Sequence, residues 1–198
     1  MSSGAFTDSI GHDSTSTWST AQVGMLAFLC SEAAFFATLL IGYLTYAGVE
    51  MAGPTPKSLS LPLAITNTVF LLLSSVTIVL SLKSQSRTDR SGFTLWMLVT
   101  AGLGMSFLVG TGFEWYRLIY HDGLTISRNL FGTTFFTLVG FHATHVTVGI
   151  LAMIVLVIRR SKGWMAVDSE APELVSWYWH LVDGVWLLIL VLVYLMGR

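Results

Sequence analysis

Gly140-Phe-His-Ala-Thr-His-Val-Thr-Val-Gly149 sits inside an apolar run covering 129–158 and carries two histidines, His142 and His145. A run of that length rises roughly 45 Å as a helix, more than the ~30 Å hydrocarbon core of a bilayer. It therefore reads as a membrane span with ionisable groups at depth. Such groups are rare in spans and face a protein interior, where partners satisfy them. The rest of the chain has to supply those partners.

Four more apolar segments flank this one, at 22–47, 61–82, 92–116 and 174–196, which makes five spans with the central one at 129–158. With 54% hydrophobic and only 11% charged residues, the composition excludes an ordinary soluble domain, and nothing in it suggests nucleic acid. The expected fold is all-α, a polytopic bundle of five transmembrane helices over 22–198 behind a polar tail at 1–21. That tail is rich in Ser, Thr and Gly, with Asp8, His12 and Asp13 and no Lys or Arg, so the basic start of a secretory signal is missing. His12 reads as a solvated side chain. Cys30 is the single cysteine, which rules out an intrachain disulfide or a Cys cluster; it reads as a packed structural thiol.

The connections are legible from their punctuation. Pro54, Pro56 and Lys57 mark an exposed link over 48–60, and Lys83, Arg87 and Arg90 mark a polar turn over 83–91. Pro62 falls in the first turn of its helix, where a missing N–H is harmless. Pro172 also lies at a helix start, so no span holds an interior proline and all five helices are expected unbroken. Asn67 and the Ser74-Ser75 pair are polar but uncharged, as is usual at helix contacts in membranes, and Gly102, Gly104, Gly110 and Gly112 allow close backbone approach. Glu114 and Arg117 are three apart in Glu114-Trp-Tyr-Arg117, and read as an ion pair at the membrane edge rather than as catalytic groups.

Orientation follows from the basic residues. Lys83, Arg87, Arg90, Arg159, Arg160 and Lys162 share a side with the N-terminus, against Lys57, Arg117, Arg128 and Arg198 on the other. The bias places the N-terminus in the cytoplasm and the C-terminus outside.

At ~1.5 Å per residue, Glu32 lies roughly 15 Å and Asp183 about 13 Å below the cytoplasmic ends of their spans, with His180 a turn shallower. His142 and His145 lie roughly 20 to 25 Å from the basic end of theirs. These five residues, Glu32, His142, His145, His180 and Asp183, can therefore share one layer, while Glu114 lies at the opposite side. Three readings stand. The residues clamp spans one, four and five as one hydrogen-bonded network; they bind metal or haem, although the Glu-x-x-His repeats of di-metal bundles are absent; or they relay protons.

Three motifs in order add a resemblance. Ser31-Glu-Ala-Ala-Phe-Phe36, then Gly132-Thr-Thr-Phe-Phe136 with the histidine stretch, then Trp177-Tyr-Trp-His-Leu-Val-Asp-Gly-Val-Trp186 together resemble subunit III of the haem-copper terminal oxidases of the cytochrome c oxidase type. The resemblance runs from about Gln22 onward and is to the short five-helix bacterial form, which lacks the first two of seven helices and so also the lipid-filled cleft they make. It implies that Glu32 is the family's buried, carbodiimide-reactive glutamate. It further implies an accessory, cofactor-free subunit of a respiratory complex that reduces oxygen to water and pumps protons, with no catalytic or metal centre in this chain. Haem and copper would reside in subunits I and II, its partners along with membrane lipids, among them bound phospholipid. Such a subunit stabilises catalytic subunit I, supports proton uptake and offers oxygen a lipid route. At the level of the complex the electron donor is cytochrome c or quinol, and Trp177 to His180 with Glu32 look more like the cytochrome c group. The alternatives are subunit III of a quinol oxidase, a small proton-coupled transporter, or a membrane metalloenzyme.

Overall fold

The computed structural model describes residues 18–46, 55–166 and 168–196. Most of the expected polar tail, with Asp8, His12 and Asp13, and the start of the first connection, with Pro54, lie outside the described residues, as does Arg198. Among the described residues there are five long helices: α1 (Thr20–Tyr46), α2 (Leu61–Ser86), α3 (Arg90–Tyr120), α4 (Leu130–Ser161) and α5 (Ala171–Ile189). All five are long and apolar enough to cross a membrane. In lipid every backbone N–H and C=O must be satisfied within the segment, and an α-helix does that without help from its neighbours.

Several helix ends run past the apolar segments, most clearly at the turn between α2 and α3. α2 continues through Lys83 to Ser86 and α3 already starts at Arg90, so the polar turn shrinks to 87–89. Hydropathy reports where the bilayer ends, whereas Lys, Ser and Gln still favour or tolerate helix in water. The turn itself is tight: Thr88 takes a φ of 60°, a conformation that a β-branched residue adopts only under constraint. Asp89 then caps α3 by accepting from the Gly92 N–H at 3.0 Å. That bond, with a second from the Ser91 hydroxyl, holds the exposed Asp89 carboxyl below the usual carboxylate range.

The spans run unbroken as expected, but the last one changes its winding. Beyond Ile189 the last span widens into a π-helix, Leu190–Leu195, with the Met196 N–H bonded to the Val191 carbonyl at 2.9 Å. There is no proline at this point. The widened turn seats Val193 and Tyr194 in the core, and Tyr194 makes a buried contact described below.

From α2 to α5 the helices pack as neighbours in chain order, α5 returns to lie along α2, and α1 lies apart from α2, against α4 and α5. Three contacts fix that last seam. Gln85 Nε2 donates to the Ser169 carbonyl at 3.0 Å, Trp179 Nε1 to Ser74 Oγ at 2.9 Å, and Trp186 Nε1 to Thr68 Oγ1 at 2.9 Å. Both indoles are fully buried. Trp179 occupies a notch between α3 and α4: a Cβ built on Gly104 would lie 2.7 Å from its Cη2, and one on Gly149 would lie 2.7 Å from its Cε3. The two glycines let a tryptophan sit where any larger residue would exclude it. Lipid tails are as apolar as leucine, so this close packing and the indole hydrogen bonds, rather than removal of apolar surface from water, hold helices together here.

The outer surface is apolar, with Val23, Leu44, Val76, Leu98 and Val109 all exposed, as a lipid-facing or subunit-facing wall requires. Cys30 is also exposed, on the outside of α1. The expectation of a packed thiol is thus corrected, because α1 turns most of its circumference away from the bundle and buries only Phe36, Leu40 and Tyr43.

A Gly149→Ala substitution drives a methyl into the Trp179 ring and is expected to destabilise the bundle by about 1–3 kcal/mol, the usual cost of overpacking. Gly102→Ala, where a Cβ meets nothing within 4 Å, is the control. Thermal unfolding in detergent separates the two, and equal stability of both variants would show that Trp179 does not depend on the notch.

Candidate functional site

Each of the five residues expected in one polar layer is placed by a helix face, but they do not form one network. They separate into two clusters and one isolated ring.

The first cluster joins α1 to α4. His145 Nε2 lies 2.9 Å from Glu32 Oε2, with the two side chains 17% and 21% exposed. His145 Nδ1 lies 2.7 Å from the Phe141 carbonyl one turn back. A carbonyl oxygen can only accept, so Nδ1 carries a hydrogen. Nε2 then either accepts from a protonated Glu32 or, as imidazolium, donates to its carboxylate, and in both cases one proton is shared across the 2.9 Å gap. Aromatic rings enclose the pair: Phe36 stands edge-on to His145 at 4.8 Å, and the Tyr178 hydroxyl donates to the His145 carbonyl at 3.0 Å. Beside the ring contacts of Phe28, Phe35 and Tyr43, this pair gives α1 a hydrogen-bonded link to α4.

The second cluster joins α2 to α5. Ser75 Oγ donates to Asp183 Oδ2 and also lies 3.3 Å from His180 Nδ1. Asp183 is 5% exposed, and its Oδ1 is buried without a partner. His180 and Asp183 thus share a face of α5, as their spacing of three requires, yet their common partner is a serine and not the α4 histidines.

His142 belongs to neither cluster. It is 0% exposed, and neither ring nitrogen has a hydrogen-bond partner. Trp186 stacks on it at 5.3 Å, and Phe107 stands edge-on at 5.5 Å. His142 and His145 are three apart on α4, but one packs among the aromatic rings of α3 and α5 and the other reaches out to α1.

Glu114 and Arg117 do not form the expected ion pair. Glu114 is 3% exposed and accepts from the Tyr194 hydroxyl at 2.6 Å and from the Ser60 N–H at 3.0 Å. It therefore fastens the π-helical end of the last span and the entrance of α2 to α3. Arg117 points outward and lies 3.9 Å from Asp122 in the following loop. Spacing of three permits a pair, but a carboxylate with two buried donors in reach is better served by them than by a cation in water. Ser75, Ser60 and Tyr194 are the partners that sequence reasoning missed. The adjacency of Ser74 and Ser75 marks a polar helix face, but nothing in the sequence ties Glu114 to Tyr194.

Among the described residues no three His, Cys, Asp or Glu side chains converge as metal ligands. The polar groups link helices in pairs and threes, which points to a membrane bundle built for assembly. A family model described as cytochrome c oxidase subunit III matches residues 6–198. The chain belongs to the cytochrome c oxidase subunit III family. It is 36% identical over 178 residues to cytochrome c oxidase subunit 3 of Corynebacterium diphtheriae, an alignment covering 87% of this chain and 86% of that one. It is 37% identical over 176 residues to a probable cytochrome c oxidase subunit 3 of Mycobacterium leprae, with 87% and 86% covered. The figure for cytochrome c oxidase subunit 3 of Alkalihalophilus pseudofirmus is 34% over 178 residues, with 88% and 86% covered. As a member of that family this is a multi-pass membrane protein and a subunit III of a haem-copper oxidase, a component of a terminal oxidase complex. The matches favour neither a quinol oxidase subunit nor a transporter.

Within the subunit III bundle, the tautomer fixed by Phe141 makes Glu32→Gln mild, since the amide N–H can donate to a bare His145 Nε2. Glu32→Ala leaves that nitrogen unpaired and is expected to loosen α1 by about 1–3 kcal/mol. The midpoint for unfolding in detergent measures both, and an equal drop for the amide and alanine variants would contradict the assigned tautomer.

Proposed function

We propose that this chain is the accessory subunit III of a proton-pumping cytochrome c oxidase. It holds no cofactor, packs against catalytic subunit I, and works beside haem and copper carried by subunits I and II. The observation that carries the reading is the family match across residues 6–198. The geometry supports it: Glu32, Glu114 and Asp183 are each engaged by side chains of other helices rather than aligned along a path from one face to the other.

In this reading residues 22–198 form one membrane domain in a bacterial cytoplasmic membrane. The basic ends of α2, α3 and α4 lie in the cytoplasm, with the N-terminus on that side and the C-terminus outside. The apolar exterior takes up lipid, including bound phospholipid, and subunit I. The subunit stabilises subunit I and supports proton uptake there, while cytochrome c delivers electrons elsewhere in the complex. Glu32 and His145 hold α1 on α4 and do not conduct the pumped protons.

Affinity purification of this chain from its native membrane is expected to bring haem-bearing subunits with it, visible as a haem absorption band. Isolation without haem would overturn the reading. Glu32→Gln is expected to leave the ratio of pumped protons to electrons unchanged in reconstituted vesicles. Loss of pumping with assembly intact would refute the fastening role.

A further inference from the structure

A cleft of about 550 Å³ opens between the C-terminal end of α2 and the N-terminal end of α5. Its walls include Gln85 on α2, then Asp168, Glu170, Glu173, Trp177 and His180. Glu173, Trp177 and His180 follow one face of α5 at helical spacing, so the acids stand toward the loop end of the cleft and the exposed His180 two turns further along the helix. His180 Nδ1 continues the line inward to Ser75 Oγ at 3.3 Å, and the Ser75 hydroxyl donates to Asp183 Oδ2. Two side chains, the His180 ring and the Ser75 hydroxyl, thus connect the open cleft to the buried Asp183 carboxyl.

Asp183 ends the line. An ionised carboxylate at membrane depth needs several donors or a cation. Asp183 has one neutral donor, Ser75, and an Oδ1 with none. The charged and titratable groups on the packed helices do not supply the rest. Lys83 lies about 12 Å along α2 from Ser75, Glu32 and His145 pair with each other, His142 is enclosed by aromatic rings, and Glu114 bonds Tyr194. None of them bonds Asp183.

We propose that His180, Ser75 and Asp183 form a blind proton-exchange branch, in which Asp183 stores a proton as the carboxylic acid and trades it with the acidic cleft. A proton taken up at Nε2 makes His180 an imidazolium. Its Nδ1–H bond breaks and an O–H bond forms on Ser75, while the original Ser75 O–H breaks and its proton bonds to Asp183 Oδ2. The ring's positive charge and the carboxylate's negative charge disappear together. Release runs the same transfers in reverse: the Asp183 O–H proton returns to Ser75, the Ser75 proton to Nδ1, and the Nε2 proton leaves to the cleft, which restores the starting tautomer. The branch opens to one side only, so it stores and returns protons without carrying them across. It deepens the reading of support for proton uptake and rests on it for its purpose, while its chemistry depends on these three side chains alone.

The test follows hydrogen–deuterium exchange of the carboxylic C=O band by infrared spectroscopy on the intact purified complex. The haem spectrum of the same sample reports separately on the oxidase reading. Asp183→Asn is expected to remove one carboxylic acid band. Ser75→Ala is expected to keep that band but slow its exchange about 100-fold, the low end of what a positioned proton carrier contributes. Ser75→Thr, which keeps the hydroxyl, restores the rate. An unchanged carboxylic band in Asp183→Asn, or exchange in Ser75→Ala as fast as in the native complex, overturns the proposal. If Asp183→Asn fails to assemble, the Ser75 pair decides it alone.

Discussion

The fit of Trp179 between Gly104 and Gly149, with its N–H on Ser74, is the contact that the rest of the bundle depends on. It touches α2, α3 and α4 at once. In water the burial of so large a ring would by itself drive association, but in lipid the ring is as comfortable outside as in. What stabilises the native arrangement is the density of atoms around it and the one polar bond it would otherwise leave unmade. With α5 fixed at that point, Trp186 comes to rest against Phe107 and His142, and Asp183 comes to face Ser75.

The polar residues then divide the labour. Glu32 with His145 attaches the lightly buried α1, Glu114 gathers the opposite end through Ser60 and Tyr194, and Asp183 sits on the α2 seam. Each is a separate solution to the same constraint, that a carboxyl in a span needs a partner. His142 is the exception, accommodated by aromatic faces instead of hydrogen bonds. Its neighbour three residues on does the bonding.

The five spans and their order were legible because ~20 apolar residues in a row have few alternatives. The identity of the polar residues was legible too, since charge in such a run is conspicuous. Their pairing was not. Depth read at 1.5 Å per residue carries no information about how far each helix is rotated, and rotation decides whether His145 faces α1 or α5. Uncharged partners were the other gap: Ser75 and Ser60 look like ordinary contact residues until a carboxylate is found beside them. The π-helical end of the last span left no mark, as neither Pro nor Gly causes it. Cys30 looked packed because its segment is apolar, but in a membrane an apolar segment can face outward.

The ladder of Gln85 with Ser169, Ser74 with Trp179 and Thr68 with Trp186 has a consequence for the order of events during synthesis. Its acceptor hydroxyls are on α2 and its glycine notch is on α3 and α4, all of which leave the ribosome before α5. The slot therefore exists before its occupant arrives. Until α5 enters, Ser74 and Thr68 line a groove in lipid, and a slip of one residue along α2 would misplace both indoles together. The final helix is accepted in one register, and its arrival closes the bundle.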